Sequence, residues 1–204
     1  MTVVKICGLC DAGAVRAAAE AGADLVGFHF CSSRRRVTPE AARSMAAALD
    51  RPGRPQLVGV FIDQPEAEVE QIAEFVGLDV VQLHGSERPG FRAPRPIIKA
   101  LKVRDGAVPD ADGWPDPILL DSWSPDQRGG TGRAWDWGAA RALLARRRVI
   151  LAGGLHPGNV GEVVRAFRPH GVDVSSGVES AVRVKDFDRI RSFVQAVRDA
   201  DGER

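Results

Sequence analysis

The chain has 204 residues, with 28 Lys and Arg against 27 Asp and Glu, and hydrophobic residues make up 44% of it. This length and composition are typical of a globular protein with one domain, or at most two small ones, and exclude a disordered or fibrous chain. The formal net charge of +1 gives no overall positive field to attract phosphates, so nucleic acid is not expected as a partner.

No apolar run approaches the roughly 18 residues that a membrane span requires, so no membrane association is expected. Residues 1–5 lack the basic, apolar and small-residue pattern of a signal peptide, and we therefore expect a cytoplasmic protein. The three cysteines, Cys7, Cys10 and Cys31, are crowded near the start of the chain. This odd, clustered set does not suit a disulfide framework, so reduced thiols are expected.

Short apolar runs rich in Val, Ile, Leu and Phe recur along the chain, and most are continuous rather than alternating. Continuous runs indicate strands that are buried on both faces of a parallel sheet. The predicted strands cover residues 3–7, 24–28, 57–62, 79–83, 96–100, 118–121, 149–152 and 172–175.

Helical patterns lie between most of these strands. Asp11 can cap a first helix that ends at Gly22, and Thr38 followed by Pro39 and Glu40 marks the start of a second. Apolar residues at helical spacing predict further helices around 69–76, 160–167 and 187–197.

This alternation of eight strands with helices predicts a (β/α)8 barrel, with residues 1–204 forming a single domain. A doubly wound open sheet is the alternative fold, but it usually has fewer strands. Proline and glycine interrupt residues 86–95 and 102–117, so we expect short or irregular crossovers after strands 4 and 5.

In such a barrel the active site lies at the carboxyl ends of the strands, and polar residues or glycines follow most of the predicted strands. They are Cys7-Gly8, His29 with Cys31 and Arg34-Arg35-Arg36, Asp63, His84-Gly85, Asp121, Gly153-Gly154 and Ser175-Ser176-Gly177. An acid, a thiol, cations and two glycine-bearing turns are therefore predicted to meet at one rim.

Two glycine-bearing turns, Gly153-Gly154 and Ser176-Gly177, follow the seventh and eighth strands. Glycine lets the backbone approach a ligand closely, and backbone N–H groups at this place in (β/α)8 enzymes often bind a phosphate. Simple tight turns are the alternative interpretation. The occurrence of both turns at adjacent strand ends favours a phosphate site.

Cys7 is either a buried, inert thiol or a thiolate that acts as a base or nucleophile beside cations. Cys7 and Cys10 also form a C-x-x-C pair, which together with His29 and Cys31 supplies four potential zinc ligands. The second pair lacks the spacing of a typical zinc finger, so a zinc or thiol-redox site is retained only as an alternative.

Asp121 ends an apolar strand and suits a catalytic acid or base, because burial can raise the pKa of a carboxyl group; a turn or helix cap is the alternative. Arg36 belongs to a basic run that is either a solvated face or a carboxylate site. Residues 126–132 form a glycine-rich loop that is either a linker or a lid.

Taken together, motifs from residue 3 to about residue 195 resemble those of the phosphoribosylanthranilate isomerase family. The motifs are Lys5-Ile6-Cys7-Gly8, Gly22-Ala23-Asp24 with Val26-Gly27-Phe28, Val58-Gly59-Val60-Phe61, Gln82-Leu83-His84-Gly85, Leu119-Leu120-Asp121-Ser122, Gly129-Gly130-Thr131-Gly132 with Asp136-Trp137, Ala152-Gly153-Gly154-Leu155 with Pro157 and Asn159-Val160, and Asp173-Val174-Ser175-Ser176-Gly177-Val178-Glu179.

The resemblance implies an isomerase of tryptophan biosynthesis that works without cofactor or metal, as a monomer or homodimer. Its small-molecule substrate, N-(5-phosphoribosyl)anthranilate, would undergo an Amadori rearrangement to 1-(2-carboxyphenylamino)-1-deoxyribulose 5-phosphate. The family's pattern makes Asp121 the general acid, Cys7 the general base and Arg36 the ligand of the anthranilate carboxylate. The residues that it assigns to phosphate binding are Gly153, Gly154, Ser176 and Gly177. Those that it assigns to supporting roles in the pocket are His84 and Asp173.

Some features depart from the family's pattern: the crossover at 86–95 is short, His156 precedes Pro157, and Cys10, His29 and Cys31 have no role in it. A related sugar-phosphate isomerase of histidine biosynthesis, or a bifunctional version, is an alternative. That enzyme uses two carboxylates, and Cys7 replaces the first of them. A non-catalytic zinc or thiol module that uses Cys7, Cys10, His29 and Cys31 is the alternative from another class.

Overall fold

The computed structural model describes residues 1–49, 54–122 and 135–203. Its central feature is a closed barrel of parallel strands that follow one another in sequence order. The strands are β1 (Val3–Cys7), β2 (Leu25–His29), β3 (Gln56–Phe61), β4 (Val80–Leu83), β5 (Ile97–Val103), β6 (Ile118–Ser122), β7 (Val149–Leu151) and β8 (Gly171–Val174). Because β8 pairs with β1, the barrel is closed, and the predicted (β/α)8 fold is confirmed.

The helices pack around this barrel. They are α1 (Ala12–Glu20), α2 (Pro39–Ala47), α3 (Glu66–Val76), α4 (Arg141–Leu144), α5 (Val160–Phe167) and α6 (Phe187–Gly202). The Asp11 carboxylate accepts the Ala14 N–H at 2.8 Å, and the Thr38 hydroxyl accepts the Ala41 N–H at 3.2 Å, so both predicted caps are confirmed. None of the helices in the described ranges is long and apolar enough to cross a membrane.

The crossovers after β4 and β5 are irregular, as predicted. Residues 84–96 and 104–117 are fully described and contain no helix. The Arg147 guanidinium holds the second of these segments by donating to Asp116 and to the Trp114 carbonyl, each at 2.7 Å. Strand β5 is longer than predicted, because Lys102 and Val103 continue its pairing with β6. That residues 1–204 form one domain stays a prediction.

A short ribbon of β9 (Glu179–Ala181) and β10 (Val184–Lys185) follows β8 and a 3-10 turn over Ser176–Val178. Lys185 of this ribbon donates to the Ser175 carbonyl at 2.8 Å. The ribbon is therefore attached to the carboxyl end of β8, at the mouth of the barrel.

Alternate side chains of each strand point into the barrel, and their character changes along the barrel axis. Towards the amino ends they form a separate apolar cluster of Leu25, Val58, Val80, Ile98, Ala100, Leu119, Ile150 and Ala152. Towards the carboxyl ends, the side chains around the barrel's cavity include Cys7, His29, Gln82, His84, Asp121 and Asp173. The apolar cluster thus forms a packed floor beneath a polar mouth.

This floor gives a test of where the stability of the barrel lies. Val58 is fully buried in it, whereas Val182 is 46% exposed in the turn of the ribbon. We expect Val58→Ala to lower the free energy of unfolding by about 2 kcal/mol, through lost burial and a residual cavity. Urea denaturation should show a much smaller change for the matched variant Val182→Ala; equal changes would contradict this assignment of the floor.

Candidate active site

The mouth of the barrel contains a cavity lined by residues from the carboxyl ends of the strands. Most of the residues predicted for the site line it: Cys7, His84, Asp121, Gly153, Gly154, Asp173 and Ser176. Among the described residues, Arg36 and Gly177 are outside this lining. The structure therefore brings the predicted acid, thiol and glycine turn together at one cavity.

Cys7 ends β1 and is 4% exposed. Its Sγ lies 3.3 Å from Nε2 of His29 on the neighbouring strand. Burial raises the pKa of the Cys7 thiol above its ordinary value, although the nearby Lys5 ammonium opposes this shift. Cys7 is therefore a protonated thiol in the resting site.

Lys5 and Asp173 form a buried ion pair beneath Cys7. The Lys5 Nζ is 2.7 Å from Asp173 Oδ1, and the two side chains are 0% and 11% exposed. Burial alone would lower the pKa of Lys5, but the neighbouring Asp173 carboxylate opposes this, and the pKa of Lys5 lies above its usual range. Lys5 is thus a fixed ammonium beside the sulfur.

Gly27 provides the space for this arrangement. A Cβ added at Gly27 would lie 2.8 Å from the Cys7 Sγ and 3.3 Å from the Lys5 Nζ. Real Cβ atoms do not tolerate the first of these distances without a shift of the neighbour. Because Gly27 has no side chain, the inward side chains of Lys5 and Cys7 on β1 can occupy the centre of the barrel.

Asp121 ends the apolar part of β6 and is 6% exposed. Its Oδ1 accepts the Ser122 N–H at 2.8 Å, and its Oδ2 is 3.5 Å from His84 Nε2. Gln82 Oε1 and His84 Nε2 are buried and have no hydrogen-bond partner in the part of the chain described. Buried polar atoms are usually paired, so these two are available to a polar ligand in the cavity.

The loops after β7 and β8 are pressed against each other. Gly153 and Gly154 have φ values of 79° and 75°, in the left-handed region that favours glycine. A Cβ on Gly177 would collide with the Leu155 carbonyl oxygen, so the two loops approach at backbone distance. Ser176 also lines the cavity, so the two glycine-bearing turns lie side by side at its edge.

The basic run after β2 divides into buried and exposed members. Arg35 is 3% exposed and donates to Glu179 through Nε and Nη2, at 2.6 and 2.7 Å. Arg36 is exposed, and its backbone forms a bridge with His29. Arg35 therefore attaches the ribbon to the barrel, while Arg36 stays on the surface beside the mouth.

The structure does not bring the four proposed zinc ligands together. Cys10 Sγ donates to the Gly8 and Arg35 carbonyls, at 3.7 and 3.6 Å. Across residues 1–49, 54–122 and 135–203, no group of three or more His, Cys, Asp or Glu side chains is arranged to hold a metal ion. Cys10 therefore lies apart from the cavity that Cys7, His29 and Cys31 line.

Several lining residues were not singled out from the sequence as a catalytic or substrate-binding set. Gln82, Ser33 and Ser175 line the cavity, as do His29 and Cys31, which were considered only as zinc ligands. Lys5 and Gln82 carried a signal, since each is a polar residue inside an otherwise apolar predicted strand. The glycine-rich loop at 126–132, which was predicted to be either a linker or a lid, lies outside the described residues.

Comparison with known proteins decides the family. The family model "N-(5'phosphoribosyl)anthranilate (PRA) isomerase" matches residues 4–196. The chain belongs to this isomerase family. The N-(5'-phosphoribosyl)anthranilate isomerase of Pelobacter propionicus is 44% identical to it over 208 residues, which cover 100% of this chain and 99% of that protein.

Solved structures of the isomerase family agree with this. Phosphoribosyl anthranilate isomerase from Thermus thermophilus superposes with a TM-score of 0.87 at 40% identity, covering 97% of this chain and 99% of that one. A second structure of the family is a complex with reduced 1-(o-carboxyphenylamino)-1-deoxyribulose 5-phosphate. Its TM-score is 0.83 at 32% identity, with 98% of this chain and 100% of that one covered.

The buried ion pair gives a second test. We expect Asp173→Asn to lower the free energy of unfolding by about 3–5 kcal/mol, because it leaves the Lys5 ammonium buried without its counter-charge. The double variant Lys5→Met/Asp173→Leu should recover most of this loss, as measured by urea denaturation. The exposed pair of Asp188 and Arg191 supplies the control, since Asp188→Asn should change stability far less. A change in the free energy of unfolding as small as that of Asp188→Asn would show that the Lys5–Asp173 pair is not needed for stability.

Proposed function

We propose that this protein catalyses the Amadori rearrangement of N-(5-phosphoribosyl)anthranilate to 1-(2-carboxyphenylamino)-1-deoxyribulose 5-phosphate in tryptophan biosynthesis. Membership of the isomerase family supports the reaction. The observation that carries the assignment of roles is that Cys7 and Asp121 line one cavity together with Gly153 and Gly154. This supplies a base, an acid and a candidate phosphate site around one substrate.

Asp121 is proposed as the general acid. Opening of the furanose ring requires a proton on the ring oxygen as the C–O bond breaks. Asp121 is buried at the cavity wall, and the Ser122 N–H occupies one of its oxygens. The other oxygen faces His84, so it is the one directed towards the ligand.

Cys7 is proposed as the general base. Ring opening yields an iminium ion, which makes the C2–H acidic enough for a thiolate to remove its proton. The Lys5 ammonium beside the sulfur stabilises the thiolate. Asp173 supports this indirectly, because its ion pair holds Lys5 in place.

The two ends of the substrate are proposed to bind on either side of this pair. Gly153, Gly154, Ser176 and Gly177 would bind the phosphate, while Arg36 would bind the anthranilate carboxylate from the rim. The bound compound in the related structure carries both a phosphate and a carboxyl group, which supports a substrate held at two ends. Such anchoring would orient C1 and C2 between base and acid.

The proposed partner is thus a small-molecule substrate. The oligomeric state, monomer or homodimer, and the cytoplasmic location stay predictions. The alternative from histidine biosynthesis is less well supported, since its two-carboxylate mechanism has no counterpart at Cys7. The decisive experiment is a fluorescence assay that follows the consumption of phosphoribosylanthranilate by the purified protein. Absence of turnover would refute the proposed function.

The proposed acid and base give matched variants. We expect Cys7→Ser and Asp121→Asn each to lower kcat by at least about 100-fold, because each removes a proton-transfer group. Circular dichroism should show that the fold is retained. Cys10→Ser is the control for loss of a thiol, since the Cys10 sulfur contacts only backbone carbonyls among the described hydrogen bonds. Full activity of either site variant would defeat its assignment.

Arg36 gives a separate test of substrate binding. We expect Arg36→Ala to raise KM by about tenfold with a smaller effect on kcat, because a charge-assisted contact to the carboxylate is lost. Steady-state kinetics of the neighbouring variant Arg34→Ala provide the comparison. An unchanged KM in Arg36→Ala would show that Arg36 does not bind the carboxylate of the substrate.

A further inference from the structure

His29 is held between two side chains of the cavity wall. Its Nε2 is 3.3 Å from Cys7 Sγ, and its Nδ1 is 2.9 Å from Ser33 Oγ. The same Ser33 oxygen accepts the Arg35 N–H at 3.1 Å, so the hydroxyl is itself fixed. All of the three side chains His29, Cys7 and Ser33 line the cavity.

We infer that His29 is a positioning residue that accepts the thiol proton of Cys7 through Nε2 when Cys7 acts as the base. This rests on the proposed function, which requires a thiolate but does not say where the thiol proton goes. In the required tautomer, Nδ1–H donates to Ser33 Oγ and leaves the Nε2 lone pair facing the sulfur. The Ser33 oxygen can accept this proton and so support the tautomer, as second partners of a histidine commonly do.

Among the described residues, the other titratable groups near the sulfur are poorer acceptors for this proton. Lys5 is already an ammonium ion and has no lone pair. The Asp173 carboxylate is bound to Lys5 at 2.7 Å. Cys31 is a thiol whose pKa burial raises to about 11, and it shares an apolar cluster with Cys7 and Val60. His29 is therefore the neutral base that the described part of the chain places within reach of the sulfur.

Burial favours the neutral form of both members of the pair. Burial lowers the pKa of His29 well below its ordinary value, and nearby cations lower it further. Burial also raises the pKa of Cys7. The titratable groups that face one or both members are Lys5 from β1, His84 after β4, Asp173 from β8, Lys185 from β10, and Arg35 and Cys31 from the segment after β2. The resting pair is therefore a thiol that faces an imidazole, ready for transfer.

The proton balance is closed. The S–H bond of Cys7 breaks as the N–H bond on His29 Nε2 forms, which gives a thiolate and an imidazolium. The thiolate then takes the C2 proton and becomes a thiol again, while Asp121 has given its proton to the ring oxygen. Release of the His29 proton and uptake of one proton by Asp121, both through solvent, restore the starting state.

The pH profile of kcat/KM tests this inference. With His29 as acceptor, we expect the wild-type profile to be flat from about pH 6.5 to about pH 9, because Cys7 need not lose its proton to solvent. In His29→Gln, which cannot be protonated, kcat/KM should be strongly reduced and rise about tenfold per pH unit over this range. A variant that lowers kcat/KM without changing the flat profile would overturn the inference, since a purely structural role would act equally at every pH.

The matched control is His170→Gln. His170 is partly buried and lies just before β8, at the opposite end of the barrel, so this substitution should leave the profile flat. If His29→Gln does not fold by circular dichroism, His29→Asn replaces it in the same measurement. A flat profile in the folded variant counts against the proton acceptor whichever substitution is used.

A second measurement does not depend on turnover. The infrared S–H stretch of Cys7, isolated as the difference between the wild type and Cys7→Ser, should shift to higher frequency in His29→Gln when the S–H···N bond is lost. An unshifted band would contradict the contact. If the band shifts but the wild type has no isomerase activity, the proposed function fails while the Cys7–His29 bond stands.

Discussion

The polar mouth of this barrel depends on one buried ion pair, between Lys5 and Asp173. The two residues face each other in register on β1 and β8, the strands whose pairing closes the barrel. A fully buried ammonium is costly unless a partner compensates for the lost hydration, and Asp173 provides that partner at 2.7 Å. Closure of the barrel therefore places a fixed positive charge beneath Cys7, which is what a thiolate base requires.

Burial and charge have opposite effects on the pKa of the Cys7 thiol. Desolvation favours the neutral thiol, while Lys5 favours the thiolate. The same desolvation keeps His29 neutral, although it lies 3.3 Å from the sulfur. Burial thus favours a neutral thiol beside a neutral imidazole, which is the arrangement from which the proposed proton transfer would start.

Two neighbouring arginines of the basic run, Arg35 and Arg36, differ in burial, and long-range contacts determine which of them is buried. Arg35 forms a two-point ion pair with Glu179, which lies 144 residues further along the chain. Arg36 stays exposed beside the mouth. The local sequence does not distinguish the two arginines. Glu179, the residue that pairs with Arg35 and buries it, belongs to the ribbon after β8 and is near Arg35 only in the folded barrel.

The sequence by itself determined the features that depend on neighbouring residues. Continuous apolar runs identified the strands, Asp11 and Thr38 identified helix starts, and proline and glycine identified the irregular crossovers. The same apolar runs also placed Cys7 and Asp121 at strand ends. These signals are local, because strand periodicity, capping and turn formation involve residues a few positions apart.

Only the tertiary structure decided which polar side chains meet. It separated Cys10 from the thiol at Cys7, paired Cys7 with His29 across two strands, and joined Lys5 to Asp173 across 168 positions. Strand ends converge only after the barrel closes, so distances between their side chains follow from register and strand order. No spacing along the chain contains that information, since side chains far apart in sequence come together only through the packing of the whole barrel.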